Sequence, residues 1–240
     1  QDHTQIIPGV GENGFRGAQQ VCQVIQKHHA DRADNGTNRL DCWLLKVDTR
    51  NPYVQVQQIL GKGKVTGCET PSSMAKRCST DKDIYFAGVN GDFFAYEAPV
   101  GTTIINGQYA LTPFGSGGGR RHGGIDAEGR GVTAYTHTYS MKVTTPANAT
   151  LDIHHVNDYR DENQLVLFNH ARGRNHTFFT YPDTCDYVFL NFKKGEKWGI
   201  AQDMKFEVAE VKTKASGQVL GNYDACLIAD GPYKDEMRKL

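Results

Sequence analysis

The side chains best suited to chemistry in this sequence lie at residues 89–94, Val-Asn-Gly-Asp-Phe-Phe. They follow a continuous apolar run at residues 84–89, which is typical of a buried central strand. Polar side chains at the end of such a strand, beside a glycine-containing turn, commonly line a site. We therefore predict Asp92 as a catalytic carboxylate, with Asn90 orienting either Asp92 or a substrate hydroxyl.

Two aromatic residues follow this carboxylate. Phe93 and Phe94 are expected to wall the pocket and to hold Asp92 in a low-dielectric setting that changes its pKa. Phe93 is also predicted to contact the substrate. The alternative is an Asx turn, in which Asn90 and Asp92 bond only to their own backbone.

A second candidate is the glycine-rich basic loop at residues 117–126, Gly-Gly-Gly-Arg-Arg-His-Gly-Gly-Ile-Asp. A guanidinium forks onto two phosphate oxygens, so Arg120, Arg121 and His122 are suited to hold a phosphate. The alternative is a solvated loop without a ligand.

Other motifs in the sequence fail on their context. Residues 9–14, Gly-Val-Gly-Glu-Asn-Gly, match the dinucleotide fingerprint, but Pro8 precedes them and no helical period follows. Residues 61–64, Gly-Lys-Gly-Lys, are too short for a phosphate-binding P-loop and indicate a hairpin tip. Adjacent histidines at 28–29 and 154–155 point to opposite faces of a strand, so neither pair predicts a metal site. No cofactor is predicted.

The six cysteines contain no Cys-x-x-Cys pair, so neither a zinc ribbon nor a thioredoxin motif is supported. An even number permits up to three disulfides in an exported protein, and we expect an extracellular or exported location. Cys68 and Cys78, which flank a short polar segment, are the first candidates for a bond. The alternative is a set of buried thiols.

Composition limits the class of protein. Lys+Arg and Asp+Glu both number 27, which gives no basic excess for nucleic acid, and no apolar run approaches the roughly 20 residues that span a bilayer. A length of 240 residues suits one domain. The 26 glycines, 11 tyrosines and 11 phenylalanines favour turns and strands. No oligomeric state is predicted.

The secondary structure elements that must position these residues predict an α+β fold, with a strand-rich mixed sheet and few helices. One helix is predicted at residues 71–80, with Thr70 or Ser72 as its cap. Asn106-Gly107 predicts a type I′ hairpin turn. Strands are predicted at residues 19–26, 40–48, 53–59, 84–89, 102–105, 131–136, 151–156, 164–168, 187–192, 205–212 and 225–229.

Several of these segments, in this order, resemble the phosphodiester glycosidase family. Residues 87–94, Ala-Gly-Val-Asn-Gly-Asp-Phe-Phe, look like its Asn-x-x-Phe-Phe signature, and they are the most specific match. Weaker matches carry the rest of the ordered series. They lie at residues 7–10, 45–56, 99–107, 122–129, 157–167 and 225–231.

The resemblance implies a hydrolase that cleaves the glycosidic bond of a sugar-1-phosphodiester similar to N-acetylglucosamine-1-phosphodiester, releasing free sugar. It covers nearly all of residues 1–240 as a single domain. The family's later Leu-Asp-Gly-Gly-Gly-Ser motif is missing, so we expect the domain to be incomplete at its C-terminus. One alternative is a non-catalytic carbohydrate-binding or surface-adhesion domain, and another is a disulfide-stapled inhibitor or scaffold.

Overall fold

The computed structural model describes residues 4–5, 22–29, 40–92, 94–95, 97–112, 122–126, 128–134, 139–158, 161–178 and 185–239. The chain divides into two compact units. The first comprises residues 1–57 and 123–132, and the second comprises residues 58–122 and 133–240.

The first unit contains a three-stranded antiparallel sheet. Its strands are β1 (Thr4–Gln5), β2 (Cys22–His29) and β3 (Leu40–Val47), in the order β1-β2-β3. The register of the long pair places Cys22 opposite Val47 and His29 opposite Leu40. The polar turn after β3 is closed by Asp48, which accepts hydrogen bonds from the Arg50 guanidinium at 2.9 Å.

A series of short strands precedes the main sheet. The first five are β4 (Phe94–Ala95), β5 (Ala98–Pro99), β6 (Thr103–Ile105), β7 (Gln108–Leu111) and β8 (His122–Ile125). β4 pairs with β5, and β6 pairs with β7. The β6–β7 turn has Asn106 at φ 50° and Gly107 at φ 74°, as the Asn-Gly pair predicts for a type I′ turn.

The remaining strands are β9 (Gly131–Ala134), β10 (Lys142–Thr144), β11 (Thr150–Asp152), β12 (His155–Val156), β13 (Leu165–Asn169), β14 (Cys185–Phe192), β15 (Phe206–Ala215) and β16 (Ala225–Ala229). β8 pairs with β9, and β10 pairs with β11. The main sheet has the order β12-β13-β16-β14-β15. β12 and β13 are parallel and the other neighbours are antiparallel, so the sheet is mixed.

The core of the second unit lies on both faces of this sheet. Every residue of β13 and of β16 is buried, as continuous apolar runs predict. Successive side chains point to opposite faces, so Leu165 and Leu167 join one cluster while Val166 and Phe168 join the other.

Two α-helices occur within the described residues. α1 (Pro71–Cys78) begins after Thr70, whose hydroxyl accepts a hydrogen bond from Ser73 N at 3.3 Å, so the predicted helix and its cap are confirmed. α2 (Pro232–Met237) packs against the main sheet through the buried Met237. These helices and the mixed sheets confirm the strand-rich α+β fold, and neither helix has the length and apolarity to cross a bilayer.

Two predicted strands are wrong. Residues 53–59 and 84–89 form no strand, and Tyr53 and Val89 are 84% and 73% exposed. An apolar run becomes a strand only where a neighbour offers its N–H and C=O groups, and no described strand is registered with either segment. The predicted strand at 151–156 is divided between β11 and β12.

Side chains are described for four cysteines, and Cys68, Cys78 and Cys226 among them carry free thiols. Cys68 is exposed, Cys78 is half-buried, and Cys185 and Cys226 are buried. The bond between Cys68 and Cys78 that their spacing suggests is therefore not formed in this structure. Burial raises the pKa of the Cys226 thiol well above its ordinary value.

Candidate functional site

Asp92, the catalytic carboxylate predicted from the sequence, accepts a hydrogen bond from the backbone of a turn further along the chain. Asp92 Oδ2 accepts a hydrogen bond from Gly101 N at 2.6 Å, nine residues further on. Gly101 is buried, and a Cβ built there would lie 2.8 Å from Asp92 Oδ2. The lack of a side chain at position 101 thus lets the carboxylate approach this backbone N–H closely.

The surroundings of Asp92 differ from the predicted apolar pocket. Asn90 and Asp92 are exposed, and Phe94 is 73% exposed in β4. The prediction that Phe94 walls a low-dielectric pocket around Asp92 is therefore wrong, because the aromatic ring faces water instead of packing over the carboxylate.

The predicted phosphate loop is only partly described. His122 is half-buried at the start of β8. Arg120, Arg121 and Phe93 lie outside the described residues. The structure thus places Asn90, Asp92 and His122 and leaves the other three predicted residues as expectations.

A small core lies beneath several loops of the second unit. It joins Leu60, Val65, Ala110, Leu111 and Ala171, with Ala98 and Ile105 packed against it. Backbone bonds tie the same segments together: Val65 N donates to Ala171 O at 2.7 Å, and Gly67 N donates to Glu97 O at 2.9 Å. The Gly61–Lys64 segment, the β4–β5 hairpin and the turn after β13 are therefore parts of one packed neighbourhood.

Within the Gly61–Lys64 segment, Gly61–Gly63 form a 3-10 turn, where the sequence indicated a hairpin tip. Lys62 has φ 53° and Gly63 has φ 71°. The Glu69 carboxylate fixes the turn: it accepts a hydrogen bond from Lys62 N at 2.7 Å and pairs with Arg77 at 2.8 Å. These bonds lower the pKa of Glu69 to about 2, with the Arg77 guanidinium as the largest cause.

Two buried asparagines connect the β6–β7 hairpin to the main sheet. The Asn157 amide donates to Ala110 O at 2.8 Å and to Asn169 Oδ1 at 2.6 Å, and its Oδ1 accepts from Asn169 N at 2.8 Å. Asn169 donates in turn to Tyr109 O at 2.9 Å. Both side chains are fully buried, so this network fixes β7 of the hairpin against the ends of β12 and β13 in the main sheet.

A cationic cluster follows β13. Arg172 is half-buried, and its Nη1 donates to Asn157 O at 3.3 Å. Lys64 and His176 both lie beside Gly173: their Cδ and Cβ atoms are 3.4 Å and 3.6 Å from the point where a Gly173 Cβ would stand. We call Lys64, Arg172 and His176 the basic cluster.

Sequence reasoning missed this cluster, although a signal for it exists. Arg172-Gly173 follows the fully buried β13 strand, as Asn90-Gly91 follows the apolar run at residues 84–89. Applied to β13, the same criterion of polar residues and a glycine after a buried strand would have selected Arg172. Lys64 is distant in sequence, and nothing in the spacing indicates that it joins Arg172.

The Asp230-Gly231 turn, part of the family resemblance, has a structural role. Asp230 Oδ1 pairs with Lys234 at 2.8 Å, and Oδ2 accepts from Asn163 N at 3.3 Å. Although burial opposes it, the bonds from Lys234 and from backbone N–H groups lower the pKa of Asp230 to about 2. The turn thus joins α2 to the start of β13. Within the described residues, no group of three His, Cys, Asp or Glu side chains has the arrangement of a metal site.

Two half-buried histidines are expected to make the fold sensitive to acid. Burial is the main cause that lowers the pKa of His155 and of His176. In the unfolded chain these groups protonate near their ordinary pKa of about 6.5. The unfolded state therefore binds more protons as pH falls below about 6.5, and the free energy of unfolding should decrease until pH passes the lower folded values.

Urea unfolding between about pH 7.5 and about pH 5 measures this loss of stability. Removing the ionisable ring with His155→Gln should make the dependence shallower. A wild-type stability that stays constant over this range would contradict the assignment.

No family model matches the chain, and no curated protein matches it. Among solved structures, the chain is similar to the crystal structure of a hypothetical protein from Synechocystis, with a TM-score of 0.61 and 11% sequence identity. The similarity covers 88% of this chain but only 36% of that one, so the chain spans about a third of its neighbour's length. At this identity the likeness shows a common fold.

Proposed function

We propose that this chain carries the site of a hydrolase that cleaves the glycosidic bond of a sugar-1-phosphodiester, with Asp92 as its carboxylate. One observation carries the proposal: Asp92 Oδ2 accepts a hydrogen bond from Gly101 N at 2.6 Å. An Asx turn that merely satisfied its own backbone would bond two or three residues away. A bond across nine residues fixes the carboxylate against a second loop while its side chain stays open to solvent and substrate.

The chemistry of the reaction suits a site built around one carboxylate. Cleavage builds positive charge on the anomeric carbon while the phosphodiester departs as a good leaving group, so a strong general acid is less needed than in ordinary glycosidases. In this proposal Asp92 stabilises the sugar cation or activates water, and Asn90 orients Asp92 or a sugar hydroxyl. The residues that hold the phosphate are proposed to be cationic, with Arg120, Arg121 and His122 as the candidates from sequence.

The test is release of free sugar from an N-acetylglucosamine-1-phosphodiester, followed by NMR. Asp92→Asn keeps an oxygen to accept the Gly101 N–H but removes the charge, so the rate should fall about 100-fold. Asp81→Asn is the matched control, because Asp81 is an exposed aspartate in the same unit with no hydrogen bond or ion pair to the described residues.

Gly101→Ala tests the same site through its second loop. The new Cβ would stand 2.8 Å from Asp92 Oδ2 and displace the carboxylate, so we expect a large loss of rate with the charge intact. Full activity in both Asp92→Asn and Gly101→Ala would move the catalytic carboxylate elsewhere. No release by the folded wild-type chain would overturn the hydrolase proposal for this chain.

A non-catalytic carbohydrate-binding domain is a second candidate, and the position of Phe94 favours it. The Phe94 side chain is 73% exposed, two residues after Asp92. An exposed ring beside polar groups is suited to stack on a sugar face. Saturable sugar binding without turnover, lost in Phe94→Ala, would support this function over hydrolysis.

A further inference from the structure

We propose that the basic cluster, Lys64, Arg172 and His176, binds a phosphate group. Its three side chains come from two segments that are far apart in sequence and meet around Gly173. The expected ligand is a tetrahedral oxyanion of phosphate type, either free or as part of a larger molecule.

The main chain holds the cluster together. Val65 N donates to Ala171 O at 2.7 Å, which fixes Lys64 beside the turn after β13. His176 N donates to Gly173 O at 3.0 Å, which folds His176 back toward the same glycine. Gly173 has φ 98°, and any side chain there would meet the Lys64 stem. Backbone hydrogen bonds thus bring Lys64, Arg172 and His176 together, so their proximity does not depend on flexible side chains alone.

Two of the three side chains of the cluster lack a balancing partner among the described residues. Within the described part of the chain, neither Lys64 nor the His176 ring makes a side-chain hydrogen bond or ion pair. Asp158 is the carboxylate that acts electrostatically on Arg172, while Arg172 and Lys64 both act on His176. Asp158 thus acts on Arg172, whereas Lys64 has no ion-pair partner among the described residues, and a protonated His176 would add a third positive charge.

The guanidinium of Arg172 has an unused donor. Its Nε is shielded from solvent and has no hydrogen-bond partner among the described residues, whereas Nη1 makes only a 3.3 Å bond to Asn157 O. A buried donor without an acceptor is uncommon and costly in a folded protein. If a bound oxyanion turned the guanidinium toward Lys64, Nε and Nη2 of Arg172 would each donate a hydrogen bond to one of its oxygens.

This inference rests on these contacts and does not depend on the proposed hydrolysis. The two are tested separately, because binding of inorganic phosphate requires no turnover.

Calorimetric titration with inorganic phosphate, at constant ionic strength set with chloride, tests the site. Lys64→Met removes the charge and keeps the stem, and we expect about tenfold weaker binding. Lys62→Met is the matched control: it lies in the same turn and changes the net charge equally, but its side chain lies against Gly67. We expect less than about a twofold effect from it, because phosphate does not contact it.

Saturable binding in the wild type, weakened by Lys64→Met and not by Lys62→Met, would establish the site. Equal loss in both lysine variants would mean general charge attraction and would overturn it, as would the absence of saturable binding. Arg172→Gln should also weaken binding. It is a supporting variant only, since losing its bond to Asn157 also affects folding.

Discussion

Replacing Asn157 with alanine should lower the free energy of unfolding by about 3–4 kcal/mol. The substitution removes three hydrogen bonds of 2.6–2.8 Å and strands Ala110 O and Asn169 N in the interior, while Asn169 Oδ1 keeps its bond from Ala171 N at 3.0 Å. Each buried group left without a partner carries a desolvation cost of about 1–3 kcal/mol, and partial relaxation reduces the sum.

Asn148→Ala is the matched control for this prediction. Asn157 and Asn148 both have left-handed backbones, at φ 55° and φ 62°, so alanine meets similar backbone strain at each. Asn148 lies in the exposed turn between β10 and β11 and makes no side-chain hydrogen bond to the described residues. Urea unfolding of the two variants separates the loss of the hydrogen-bond network from the backbone strain of alanine at positive φ. Equal decreases in the free energy of unfolding would show that the buried amide network contributes nothing.

Replacing Arg238 with alanine should lower the free energy of unfolding by about 2–3 kcal/mol. Its Nε lies 2.6 Å from Oδ2 of Asp186, a fully buried carboxylate whose Oδ1 accepts from Lys214 N at 2.9 Å. The contact with Arg238 is an ion pair without the alignment of a hydrogen bond. Removing the cation leaves a buried charge without its ion-pair partner. The 40% exposure of Arg238 admits some water and moderates the loss.

A double-mutant cycle with Asp186→Asn isolates this pair. We expect Arg238→Ala to cost much less when Asp186 is already neutral. Lys239→Ala is the neighbouring control, since Lys239 pairs with Glu236 at the surface and such pairs contribute about 0–1 kcal/mol. A cost for Arg238→Ala that is the same with and without Asp186→Asn would contradict the proposed coupling.

Local sequence determined the elements whose stability comes from their own residues. Continuous apolar runs like those within β13, β14 and β16 are typical of strands buried on both faces of a sheet, and these three strands form its centre. Pro71 after Thr70 starts α1, since proline fits the first turn and the threonine hydroxyl caps it. Asn106-Gly107 tolerates positive φ at both positions, so it turns the β6–β7 hairpin.

The same apolar patterns gave a wrong prediction where a strand needed a neighbouring strand to pair with. Residues 84–89 are as apolar as a central strand, yet Phe86 and Val89 are exposed because no described strand pairs with them. Apolar character indicates that burial of a segment is favourable. Strand pairing depends instead on which other strands lie beside the segment, and the tertiary fold determines that.

The sites show the same division. The sequence determined that Asp92 follows a glycine turn and that Gly101 lacks a side chain, but only the tertiary structure brought them to 2.6 Å. It likewise decided that Lys64 meets Arg172 and His176, and that Asn157 meets Asn169. These contacts join residues that are distant along the chain, or lie on different strands, and the spacing of residue types carries no information about such meetings.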